Sequence, residues 1–218
     1  MPAQASIQRV VRVVRQEGLS GIIARLRERW HKYFRFFSCW LVAYDIDMDR
    51  PLPEPKKPVV IRELLPEDSA GVDALVRMYK VPADAPGIIG RMRDSEHCYV
   101  AYLDERPVAY TWFSRKEWVR EYYNDLIHLK PGEIYIHDAY TVPDLRGNNI
   151  YPLLKGHAFR DLARRYGVKS VISYVKVRNH ASLNASRKLG GKKVGWFGYL
   201  RFFGKHVPLV FRFKPRNL

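Results

Sequence analysis

The stretch Thr141-Val-Pro-Asp-Leu-Arg-Gly-Asn-Asn-Ile-Tyr-Pro-Leu-Leu154 combines residue types suited to holding an anion. It follows an alternating apolar run, Ile134 to Val142, and leads into a run with helical spacing, Ile150 to Tyr166. The pattern predicts a strand, a short Arg146-Gly147 turn and a helix start. Such a junction offers unpaired backbone N–H groups and a positive helix end to a negative ligand. A phosphate group is the natural occupant, and a phosphate-bearing cosubstrate points to an enzyme.

His137 and Asp138 lie on the strand before that turn. The imidazole titrates near neutrality, whereas the carboxylate needs a raised pKa or a water relay to accept a proton. Strict alternation puts Asp138 with Ile134, Ile136 and Tyr140 on one face, and His137 with Tyr135 and Ala139 on the other. Which face holds a reacting group stays open. Each residue also fits a structural role, as a satisfied histidine or as a buried carboxylate bonded to backbone or tyrosine. Glu133 reads as a solvated strand end. The insertion at 115–130 carries Trp118, Tyr122, Tyr123 and His128. It walls a site for a sugar or other flat group, or is an ordinary packed loop.

Charge sharpens the anion reading. The chain has 218 residues and a net charge of +16. Residues 144–218 hold 17 Lys or Arg against two acids, a net of +15, whereas residues 59–143 are net −4 and residues 1–58 net +5. The positive half begins at the Arg-Gly turn. It serves either as a solubilising surface or as a funnel for a polyanion: a phosphorylated cosubstrate, nucleic acid or an anionic membrane. Neither a helix-turn-helix signature nor an aromatic RNA-binding motif occurs, which weighs against nucleic acid. Cys39 and Cys98 have no metal-type spacing, so no metal site is expected. A reducing, cytoplasmic setting fits, and no signal peptide is read. The apolar run near Phe36 to Tyr44 is too short for a span of roughly 20 residues.

Three segments are expected to position these residues. Residues 1–50 read as a basic amphipathic extension ending in a strand. A first helix carries Ile7, Val10, Val11 and Val14; a second, capped by Ser20, carries Ile22, Ile23, Leu26, Trp30, Tyr33, Phe34 and Phe37. That stripe, over residues 6–37, packs on its own core, on a second copy, or on an anionic membrane at the inner face. Residues 51–58, rich in proline, read as a stiff linker. Residues 59–218 read as a domain in the order β-α-α-β-β-β-α-β-α-β-β. The expected class is α/β (α+β): a mixed, mostly antiparallel sheet flanked by helices.

This domain resembles the GNAT acyl-CoA N-acyltransferase superfamily over residues 59–213. Val60-Ile-Arg-Glu-Leu-Leu-Pro-Glu-Asp68 is similar to its first strand and helix, and Tyr99 to Val108 to its second and third strands. Val142-x-Pro-x-x-Arg146-Gly147 looks like its pyrophosphate motif, Arg/Gln-x-x-Gly-x-Gly/Ala. Asn179-x-x-Ser182 with Lys188-Leu-Gly190 looks like its second block. Two small positions of the motif are occupied here by Asn149 and Tyr151. Asn tolerates unusual backbone angles; Tyr151 fits only if its side chain points away from the phosphates. Ser186 stands where the family often has a tyrosine general acid toward the leaving group. Water, Tyr140 or Tyr174 are the alternatives for that role.

The resemblance implies acetyl-CoA, or another acyl-CoA, as cosubstrate. Tyr140, Thr141, Val142, Arg146, Gly147, Asn148, Asn149, Ile150, Tyr151, Asn179 and Ser182 would contact it, with Asn179 alternatively a plain helix cap. His137, Asp138 and Ser186 are the candidate catalytic residues. The implied reaction is direct attack by an amine or hydroxyl of an amino sugar, a glycan precursor, another amine or a protein lysine. A GNAT-fold module without catalysis is the competing reading, and a homodimer stays open.

Overall fold

A computed structural model describes Ser20 and residues 34–79, 83–120, 126–202 and 205–212. The expected helices at 6–37 lie largely outside the described residues. The chain divides into two compact units. The larger comprises residues 39–196 with 211–218, the smaller residues 1–38 with 197–210. In the smaller, strands β9 (Lys192–Phe202) and β10 (Lys205–Arg212), which also extend into the larger unit, are neighbours, as expected of the final hairpin. No helix among the described residues is long and apolar enough to cross a membrane.

Strand β1 spans Phe34–Asp45, so the expected helix through Phe37 is replaced by strand from Phe34 onward. Five of its twelve residues are aromatic, a type that favours a pleated surface. From Cys39 onward it pairs antiparallel with β8 (Ser170–Lys176), Cys39 opposite Lys176 and Asp45 opposite Ser170. This part of the assumed extension therefore belongs to the larger unit. The proline-rich segment is no free linker either. Leu52 packs on the core, and backbone bonds tie residues 46–58 to the rest of the unit.

In the larger unit the strand order is β1-β8-β7-β4-β3-β2. Strands β2 (Val60–Leu64), β3 (Glu96–Leu103), β4 (Arg106–Ser114) and β7 (Glu133–Thr141) run antiparallel to one another in that order. β7 and β8 are parallel. The mixed, mostly antiparallel sheet is as expected. The insertion forms a small hairpin, β5 (Trp118–Arg120) with β6 (Leu126–His128). Tyr122 and Tyr123 lie outside the described residues.

Asp68 caps helix α1 (Ser69–Met78), accepting from Gly71 N at 2.8 Å. Asp84 caps α2 (Ala85–Arg93) the same way. Helix α3 spans Ile150–Tyr166, as its spacing predicts. Ile150, Leu154, Ala158 and Leu162, one turn apart, are buried against Ile134, Ile136 and Val171. Each buried Ile or Leu contributes about 1.5–3 kcal/mol. This pins the helix that follows the Arg-Gly turn to one sheet face. Leu64, Val72, Leu75, Ile88, Cys98 and Trp112 form a second cluster, with α1 and α2, on the opposite face. Helix α4 (His180–Lys188) follows β8.

Candidate active site

The register between β7 and β8 ends at Tyr135 opposite Ile172. Beyond that point residues of both strands line a cleft of about 630 Å³. β7 supplies Tyr135 to Thr141, β8 supplies Ser173 and Tyr174, and α4 supplies Asn179, Ser182 and Lys188. Two parallel strands can part only where their hydrogen-bond ladder stops, and the space between them exposes backbone N–H and C=O groups.

The Arg146-Gly147 turn stands at the mouth of this cleft. Gly147 has φ +81°, a conformation that favours glycine. Asn149 has φ 59° and ψ 10° at the start of α3, and its side chain does not cap the helix. The tolerance of Asn for this backbone, anticipated above, is thus used. The first-turn N–H groups of α3 are left for another acceptor, and the helix dipole favours a negative one. Arg146 Nε donates to Thr141 O at 3.1 Å.

One irregularity reorients the reacting end. Trp112 pairs with His137 and Tyr110 with Tyr140, so β7 spends three residues where β4 spends two. Asp138 takes the strain, with φ 44°. The extra residue overturns the strict alternation expected of this strand. His137, Asp138 and Tyr140 all turn toward the α1–α2 side. Asp138 Oδ2 accepts from Tyr79 OH and from Arg91 Nη1, each at 2.9 Å. Arg91 also donates to Glu96 Oε2 at 2.9 Å and lies over the Trp112 ring. His137 Nε2 is 3.7 Å from Glu96 Oε2, with its ring stacked on Tyr135. Burial holds the His137 imidazole below its ordinary value of 6.5; the Glu96 charge pulls the other way. Burial, then the Asp138 charge, pushes the Tyr79 phenol up.

The cluster of Tyr79, Arg91, Glu96 and Lys116 was missed in the sequence, because these residues precede His137 by 21 to 58 positions. Only a register shift brings them onto His137 and Asp138. Glu133, expected as a solvated strand end, is buried and accepts from Lys130 N at 2.9 Å.

The Acetyltransferase (GNAT) family model matches residues 63–191. The chain belongs to this family. Among solved structures, a GCN5-related N-acetyltransferase from Sphaerobacter thermophilus is similar, with TM-score 0.54 and 17% identity over 90% of this chain and 58% of that one. A functionally unknown conserved protein from Staphylococcus epidermidis gives TM-score 0.53 and 14% identity over 83% and 66%. A GCN5-related N-acetyltransferase-like protein from Streptococcus suis gives 0.54 and 14% over 86% and 68%. Such identities show the fold. The chain spans 66% and 58% of the lengths of the first two structures named by their unknown function and by Sphaerobacter thermophilus respectively. No curated protein sequence matches.

As a GNAT domain, the chain brings most of the expected residues together. His137, Asp138, Tyr140, Thr141, Arg146, Gly147, Asn149, Ile150, Tyr151, Asn179 and Ser182 all line the cleft. The Tyr151 ring packs against the core cluster beside Lys155, 5.4 Å from its ammonium, as a bulky residue at this position requires. Asn179 also caps α4, accepting from Ser182 N at 3.1 Å. Val142 and Asn148 do not line the cleft. Val142 N donates to Val108 O at 3.0 Å, and Asn148 O accepts from Lys56 N at 3.0 Å. Alternation then turns the Thr141 N–H away from β4, toward the parted strands.

Ser186, in the tyrosine position of the GNAT pattern, does not line the cleft. It is buried, accepts from Tyr44 OH at 2.6 Å and donates to Ser182 O at 2.8 Å. Its spacing on α4 turns it under the helix, into the core. Ser186→Ala is expected to cost about 1 kcal/mol of stability and to leave turnover within about twofold. Parallel denaturant titration and rate measurement check both.

Proposed function

We propose that this chain transfers an acetyl or other acyl group from acyl-CoA to an amine or hydroxyl of an acceptor by direct attack. The observation that carries this reading is the bulge at Asp138. It turns His137 and Asp138 toward one cluster beside parted strands whose mouth is the phosphate turn.

The residues present fit acyl-CoA. The open first turn of α3, the Gly147 backbone, Arg146 and Lys188 would hold its phosphates. Bound there, it supplies an activated acyl group. The Thr141 N–H is placed to polarise the acyl carbonyl, an oxyanion-hole role. His137, neutral through burial, is placed to take the proton from the attacking group. An Nε2–H facing Glu96 leaves the Nδ1 lone pair for that task. Asp138, committed to Tyr79 and Arg91, positions rather than accepts. Tyr140 and Tyr174, both in the cleft, are the phenols placed to return a proton.

The acceptor is an amino sugar, a glycan precursor, another amine or a protein lysine. The basic segment 6–37 would add contact with an anionic membrane face in the cytoplasm. Calorimetry with acetyl-CoA tests the core of the reading: wild type binds, and Arg146→Glu weakens binding at least tenfold, because two unit charges change at the phosphate turn. Absence of binding by wild type, or equal binding by the variant, sinks it. Thiol release with a panel of amines separates catalysis from a binding module.

A further inference from the structure

Asn149 replaces a small residue in the phosphate turn, and its amide makes contacts that glycine could not. Nδ2 donates to Glu54 O at 2.9 Å, and Oδ1 accepts from Lys188 Nζ at 2.6 Å. Three segments far apart in sequence meet on this one side chain: the proline-rich strap, the turn and the last turn of α4. The neighbouring Asn148 O accepts from Lys56 N, so the strap holds the turn at two consecutive residues. The strap is itself anchored. A Cβ at Gly156 would stand 2.4 Å from Leu52 Cδ2, and Arg160 donates to Arg50 O.

An amide carries one oxygen acceptor and two N–H donors, so it can serve a carbonyl and an ammonium at once. Asn is also among the few non-glycine residues at ease with φ near 60°. Lys188 is otherwise a flexible four-carbon stem ending in a point charge. Tethered to Asn149, its ammonium is held on the cleft wall before any anion arrives, which reduces the ordering cost of binding.

We propose that Asn149 is a positioning residue, a latch that holds the strap, the phosphate turn and Lys188 together for the donor's phosphates. The proposal rests on the acyl-CoA reading above. The test is calorimetry with CoA on wild type, Asn149→Gly, Lys188→Met, the double variant and Lys188→Arg. Glycine keeps the backbone angle without strain, so the melting temperature of Asn149→Gly should stay within a few degrees. Asn149→Gly and Lys188→Met are each expected to weaken CoA about five- to twentyfold. Because both break the same latch, the double variant should bind within about twofold of the weaker single. Lys188→Arg retains a cation for Oδ1 and should stay within about threefold of wild type.

Unchanged CoA affinity in Asn149→Gly, with wild type binding, overturns the latch alone. So does a double variant whose loss equals the product of the singles. Wild type that fails to bind CoA removes the acyl-CoA reading, and the latch with it.

Discussion

His137→Gln is expected to lower kcat by about 10²-fold or more, the usual contribution of a positioned general base, with acetyl-CoA affinity within about twofold of wild type. Glutamine keeps a similar reach but accepts no proton at neutral pH. The expectation follows from two facts. His137 lines the cleft, and its Nε2, buried and without a hydrogen-bond partner among the described residues, faces Glu96 at 3.7 Å. Asp138 is the rival base, but its carboxylate already serves Tyr79 and Arg91. If Asp138→Asn falls further than His137→Gln, the roles are reversed.

The pH profile gives an independent check. Burial lowers the His137 pKa from 6.5, Glu96 and Asp138 raise it, and Arg91 and Lys116 lower it further. The base is the neutral ring, so kcat/KM should rise with pH through a midpoint below the ordinary 6.5 of histidine. Glu96→Gln removes a charge that favours the imidazolium, so the acid limb should move to still lower pH. A limb moving upward would show that Glu96 does not act on His137. The same linkage touches stability. Between the lowered pKa and 6.5 the unfolded chain binds more protons than the folded one, so this residue's contribution weakens as pH falls through that window.

Much of this was legible in the chain because it is local. Helix α3, its one-turn apolar spacing at Ile150, Leu154, Ala158 and Leu162, and the Arg146-Gly147 turn are short-range patterns, and the structure has them where the spacing put them. What was not legible depends on register and long-range contact. Strict alternation separated His137 from Asp138. A single extra residue in β7 reunites them, and no side-chain pattern announces that residue, since Asp138 is ordinary in composition and unusual only in φ. Prolines between 51 and 58 suggested a spacer. A stiff segment can equally lie flat on a helix, and long-range contacts such as Leu52 against Gly156 and Lys56 N to Asn148 O distinguish the two. Ser186 was read by position in a motif, whereas its role was decided by Tyr44, which comes 142 residues earlier.

Lys155→Met is expected to raise stability by about 1–3 kcal/mol, the range seen when buried charges give way to apolar groups of similar volume, or roughly 2–12 °C in Tm for a domain of this size. Lys155 is 1% exposed. Its ammonium donates to Tyr44 OH at 2.6 Å, and no ion pair with a carboxylate is seen among the described residues. The rings of Tyr44, Tyr151 and Phe159, at 4.3, 5.4 and 5.8 Å, return part of the lost hydration as cation–π attraction. Burial nevertheless holds the Lys155 pKa below its ordinary 10.5. Unfolded chain binds this proton up to about pH 10.5, and folded chain releases it earlier, so wild-type stability should gain with pH within that window. Methionine removes this dependence, so the variant's advantage should shrink in denaturant titrations as pH rises from the lowered pKa toward 10.5. Tyr44 is not orphaned by the change, since its hydroxyl still donates to Ser186. A less stable variant would mean that the aromatic cage and the Tyr44 bond outweigh the desolvation of the ammonium. Lys155 would then stand as a net support for Tyr151, one turn away on the cleft wall.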